Sequence, residues 1–86
     1  MSAQVRRQFG DLIRHLRAQA GITQDELARR SGLHRTYVAD IERGARNPSL
    51  LSIDKLARGL QLSVAGLFRS APPDQPGQGG PERVGR

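Results

Sequence analysis

Glycines at positions 21, 32 and 44 cut the middle of the chain into two stretches that leave room only for brief helices. The first reads "TQDELARRSG". Thr23 and Glu26 have capping-box spacing, so a helix is expected to start after Thr23. Asp25 with Arg29, and Glu26 with Arg30, are i,i+4 pairs of favourable polarity. Leu27 and Ala28 face inward, and Gly32 breaks the helix after two turns. The second stretch follows at once. Leu33 leaves the turn, His34 stands at the N-cap position, and Val38 and Ile41 are the inward residues, three apart. Gly44 stops this helix, and "ARNP" is a loop closed by Pro48.

The flanking segments are helical too. Val5, Phe9, Leu12, Ile13, Leu16 and Ala20 trace one face of an amphipathic helix. Gly10 weakens it slightly and Gly21 ends it. A fourth helix is expected from about Ser49, burying Leu50, Ile53, Leu56, Ala57 and Leu60. A short fifth follows Ser63, with Val64, Leu67 and Phe68 inward. No strand pattern occurs. The predicted fold is all-α: a compact five-helix bundle over residues 1–69, one domain of an 86-residue chain. Residues 70–86, "SAPPDQPGQGGPERVGR", hold four prolines and four glycines and lack Leu, Ile and Phe. Such a segment cannot offset its ordering entropy by burial, so it is expected to be a disordered tail.

Composition removes several function classes. There is no cysteine, and His15 and His34 form no ligand cluster, so neither a metal nor another cofactor is expected. No nucleophile–base pair or glycine-rich phosphate loop suggests an enzyme. No apolar run approaches a membrane span and Met1 opens no signal-peptide pattern, which predicts a soluble, cytoplasmic protein. Charge points to a partner. Fourteen Lys and Arg face eight Asp and Glu, a net +6, and thirteen of the cations are arginine. Residues 1–69 carry twelve cations and six anions, so the excess belongs to the folded part. Arginine's planar fork suits phosphates and guanine edges. An arginine-rich solvated surface from high-GC codon usage is the plainer alternative.

Two short helices joined by a glycine-containing turn form a helix-turn-helix. The second helix of that unit can enter a major groove with its first residues nearest the base edges, while its N-terminus favours phosphate oxygens. Here those first residues are Arg35, Thr36 and Tyr37, three side chains a core does not need together.

The stretch "TQDELARRSGLHRTYVADIERGARNPSL" resembles the Cro/C1-type (XRE-like) helix-turn-helix family of bacterial and phage regulators. The Thr-Gln pair, the Leu-Ala, the Ser-Gly, "IERG" and "NPSL" carry the resemblance, which spans roughly residues 5–69. Within the family the chain is most similar to the controller proteins of restriction–modification systems. The resemblance implies a lambda-repressor-like DNA-binding fold and a transcription regulator that binds a palindromic operator in double-stranded DNA as a homodimer. It implies base contacts from Arg35, Thr36, Tyr37 and Asp40, with Tyr37 touching the backbone or a deformed step. It implies phosphate contacts from Gln24, Arg43, Arg46 and Asn47. Arg17 and Glu42 would form a structural pair. Leu51, which falls off the inward stripe of the fourth helix, would join Leu67 and Phe68 in a dimer interface. Such a regulator represses by blocking RNA polymerase or activates by touching it.

Plainer roles stand beside these. Asp40 can accept from a cytosine amino group or pair with Arg43 or Arg46. Tyr37 can pack on the second helix, and Asn47 can stabilise its own turn before Pro48. The rival reading of the whole is an antitoxin-type helix-turn-helix protein that mainly binds a partner protein. The tail's lack of hydrophobic anchors argues against it. RNA binding calls for aromatic stacking platforms, and there are only three aromatics.

Overall fold

A computed structural model describes residues 1–70. Five helices follow in order: α1 (Ala3–Ala20), α2 (Gln24–Ser31), α3 (Arg35–Glu42), α4 (Leu50–Gly59) and α5 (Val64–Arg69). Among the described residues there is no strand. The all-helical expectation and all five predicted helices are met. Apart from Ser70, the segment expected to be a tail lies outside the described residues. Among those described, no helix is long and apolar enough to cross a membrane.

Hydroxyl side chains start four of the five helices. Ser2, Thr23, Ser49 and Ser63 each accept a hydrogen bond from the backbone N–H three residues on, at 3.0–3.1 Å. Each satisfies one of the N–H groups that a helix start leaves without a partner. The capping box expected at Thr23 is half formed. Thr23 Oγ1 accepts from the Glu26 N–H, but the Glu26 carboxylate turns away to Arg29 and Arg30. Asp25 does not pair with Arg29 as its spacing suggested. Glu26 already holds Arg29, and Asp25 reaches Arg35 instead.

The core joins every helix. Ile13, Val38, Leu27, Ile41, Leu56 and Leu67 are its largest fully buried side chains, each contributing about 1.5–3 kcal/mol by leaving water. α3 packs on α1 and α2, and α4 packs on α2 and α5. Four residues read as inward from the sequence are exposed: Val5 by 45 %, Leu50 by 74 %, Phe68 by 50 %, and Ala20 in the last turn of α1. Val5 and Leu50 lie in the first turns of α1 and α4. Helical side chains lean toward the N-terminus, so one at a helix start leans beyond the end of its own helix. Phe68 lies in the last described helix and rests against Phe9, with ring centroids 6.0 Å apart.

Gly10, expected only to weaken α1, turns out to be a point of closest approach. A Cβ there would fall 2.7 Å from the Glu42 carbonyl oxygen and still nearer that of Ile41. Only a glycine lets the end of α3 lie this close on α1.

Candidate nucleic-acid interface

The α2–α3 turn is set by Gly32, whose φ of +68° favours a residue without a Cβ. The Leu33 N–H closes the turn onto the Ala28 carbonyl at 2.9 Å, and Leu33 itself packs against the core. This aims α3 outward at its start. His34 occupies the N-cap in extended conformation, but its side chain makes no capping hydrogen bond. α3 is thus the one described helix whose first turn no side chain caps.

Arg35 and Thr36 are exposed at that end. Arg35 Nε lies 3.2 Å from Asp25 Oδ1, with both side chains well over half exposed. Such a pair is worth about 0–1 kcal/mol and releases easily. Two of the four residues expected to contact bases, Arg35 and Thr36, are thus exposed at the helix start.

Tyr37 is more constrained than the sequence suggested. It packs on the core's edge, and its hydroxyl donates to Ser52 Oγ at 3.0 Å, fixing it to α4 rather than α2. Ser49 Oγ donates to the same Ser52 oxygen at 3.1 Å. The Arg46 guanidinium lies over the tyrosine ring, 4.8 Å from its centroid. Asp40 takes the pairing alternative. Its carboxylate binds Arg43, and Arg46 Nη2 stands 3.7 Å away. Asp40 and Tyr37 together hold the two arginines that follow the reading positions. Asn47 is exposed in the loop beside them.

The other end of α3 is closed by a buried ion pair. Glu42 is only 4 % exposed. Arg17 donates to both its carboxylate oxygens, Nε to Oε2 at 2.7 Å and Nη2 to Oε1 at 3.0 Å. Arg17 Nη1 also reaches the Ile22 carbonyl at 3.0 Å. The hydrogen bond to Glu42 raises the Arg17 pKa, outweighing its partial burial. Gln24, expected at a phosphate, spends one amide hydrogen on Glu42 Oε1 at 3.0 Å. Its second amide hydrogen makes no hydrogen bond among the described residues.

Of the residues expected at a dimer interface, Leu51 is 63 % exposed and Phe68 is half exposed. Leu67 is fully buried inside its own chain and cannot line such a surface; α5 turns it onto the core. Leu50 is the residue sequence reasoning missed. Its spacing from Ile53 predicts an inward position, yet it stands exposed beside Leu51. Its place at the first position of α4 was the available signal.

Comparison with known proteins agrees with this geometry. The family model HTH_3, described as helix-turn-helix, matches residues 13–67. The control protein C.BamHI of Bacillus amyloliquefaciens is 43 % identical over 69 residues, spanning 79 % of this chain and 85 % of that protein. The crystal structure of the restriction-modification controller protein C.AhdI from Aeromonas hydrophila superposes with a TM-score of 0.73 at 45 % identity, covering 76 % of this chain and 98 % of that one. The controller protein C.Esp1396I, solved as a tetramer in complex with its natural 35 base-pair operator, gives a TM-score of 0.71 at 34 % identity over 74 % of this chain and 84 % of that one.

Proposed function

This chain belongs to the HTH_3 helix-turn-helix family, in its restriction–modification controller branch, and from that premise we propose that it binds a palindromic operator as a homodimer and regulates transcription there. The observation that carries the reading is one surface. Arg35 and Thr36 stand at the start of α3, and Arg43, Arg46 and Asn47 follow its far end, all exposed. In the proposed complex Arg35 and Thr36 meet base edges. Arg43, Arg46, Asn47 and the second amide hydrogen of Gln24 grip phosphates. Tyr37 supports Arg46 and touches the backbone beside it. Asp40 sets the two arginines, and releases them only where a cytosine amino group competes.

The dimer is formed through Leu50, Leu51 and Phe68, exposed apolar side chains of α4 and α5. Two copies would present α3 about 34 Å apart, one turn of B-DNA. Occupancy near a promoter blocks RNA polymerase or touches it, according to where the dimer sits. The relatives are control proteins and regulators, which favours a non-catalytic role.

Selection of bound duplexes from a random pool tests this directly. It should return two inverted half-sites centred about 10 base pairs apart. With about four phosphates neutralised per protomer, log K against log salt should slope near −7. Asymmetric or featureless selected sequences, or a slope near zero, would rule the reading out. Capture of a stoichiometric small partner protein, with no duplex selected, would instead favour the antitoxin-type reading.

A further inference from the structure

α1 and the end of α3 flank a groove of about 530 Å³ that none of the residues proposed to meet base edges lines. Gln4, Arg7, Asp11 and Arg14 line it along α1, and Glu42 and Arg43 close it. The α1 positions recur at three- and four-residue intervals, so they form one stripe. Arg7 and Arg14 are a little under two turns apart, about 10 Å along the helix.

The charges in this groove are unequally committed. Glu42 is held by Arg17 and Gln24, so its carboxylate is already balanced. Asp11 pairs with Arg14, at side-chain exposures of 61 % and 51 %. Among the described residues, Arg7 has no carboxylate within ion-pair distance. What remains uncommitted is Arg7, flanked by Arg14 and Arg43, each held by an exposed ion pair that a polyanion would compete for.

The groove is also fixed relative to α3. Arg6 Nε donates to the Gly44 carbonyl at 3.0 Å, and the stem of Arg7 crosses directly over Gly44. Gly10 holds the backbone of α1 against the last residues of α3. Arg43 belongs to both surfaces, so the groove continues the proposed DNA face without a break.

We propose that this groove seats the phosphate backbone of the duplex just outside each half-site, with Arg7 and Arg14 extending the grip that Arg43 begins. This rests on the reading of α3 as the element that enters DNA. It adds a footprint longer than the bases α3 can reach, and an affinity term blind to sequence. A strand carries one charge per about 3.4 Å of axis, so the ~10 Å between the two arginines matches the run of about three phosphates.

Two duplexes test it with the full chain: one trimmed to the outer edges of the half-sites, and one extended by a helical turn at each end. Arg7→Gln with Arg14→Gln should weaken binding to the long duplex roughly tenfold and leave the short one unchanged. The salt slope on the long duplex should become shallower by about 3.6 for four phosphates released per dimer. The ratio of specific to random binding should not move. Asp11→Asn, at an exposed position, frees Arg14 and should tighten binding to the long duplex a few-fold without affecting the short one. Equal losses on both duplexes, or an unchanged slope, would overturn the proposal. So would unaltered DNA binding with loss of polymerase recruitment, which would assign the groove to an acidic protein surface. Failure of the base-reading role would look different: the wild type would show no preferred sequence, while the effect of flank length persisted.

Discussion

At its C-terminal end α3 is fastened from three sides, and at its N-terminal end it is almost untouched. Glu42 is buried and takes two hydrogen bonds from Arg17 and one from Gln24, while Gly10 lets α1 press against the adjacent backbone. At the other end His34 offers no side-chain cap, Thr36 is exposed, and Arg35 has one loose partner in Asp25. The difference separates two tasks within eight residues. The fastened end fixes where the helix points. The free end keeps its donors available, because any strong internal partner would have to be displaced on binding. Tyr37 lies between, tied to α4 through Ser52 and supporting Arg46.

The sharpest way to break this contrast is at Gly10. Gly10→Ala puts a methyl group among the carbonyl oxygens of Ile41 and Glu42, none of which can move without shifting α3. It should cost about 3 kcal/mol in urea unfolding, the upper range for overpacking. A loss below about 0.5 kcal/mol, the level of an ordinary surface change, would mean that α3 is not seated here.

Glu42→Gln comes next. It leaves Arg17 without its counter-charge in a largely buried site. Breaking a buried pair costs about 3–5 kcal/mol, and the partial exposure of Arg17 should reduce that to about 2. DNA affinity should fall only as far as the folded fraction falls. A variant that folds normally yet loses base preference would show that the pair acts in reading as well as in support.

Arg35→Ala probes the free end. Folding stability should change by less than about 0.5 kcal/mol, since the side chain is exposed and weakly paired. Discrimination at one base pair should drop by about 1–3 kcal/mol. Arg46→Ala, by contrast, should weaken all sequences alike. If the two variants behave identically in competition with random duplex, the division between reading and holding is wrong.

The smallest effect concerns α2, which carries Gln24 into the fastened end. Hydrogen bonds from Arg29 and Arg30 hold the Glu26 pKa down at about 2, from an ordinary 4.5. A carboxylate lowered on folding adds stability that is fully present above its unfolded pKa and is lost as pH falls toward the folded value. Thermal unfolding followed from pH 5 to pH 2 should therefore show a slightly steeper decline for the wild type than for Glu26→Gln. Parallel curves would indicate that these exposed pairs contribute nothing.

Much of this arrangement was legible in the sequence. The glycine punctuation and apolar spacing located all five helices, because helix stops and amphipathic stripes are local signals. The exposed residues Arg35 and Thr36 followed from their place at a helix start. What escaped depended on tertiary contact. The role of Gly10 needs the α3 backbone, which is 31 residues away in sequence at Ile41. Asp25 exchanged Arg29 for Arg35 because the fold brought α3 to it. Leu50, read as inward, is exposed, and Leu67, read both as inward and as part of a dimer interface, is buried in its own chain. Helical spacing identifies a stripe but does not show where neighbouring helices stop covering it.

In the proposed function the free end of α3 senses nucleotide identity, and a competition experiment isolates that property. A labelled duplex carrying the selected operator is challenged with unlabelled random duplex at physiological ionic strength. A preference for the operator of about 10³-fold or more is expected, as specific complexes show. Random duplex that displaces the label as well as the operator itself does would contradict it.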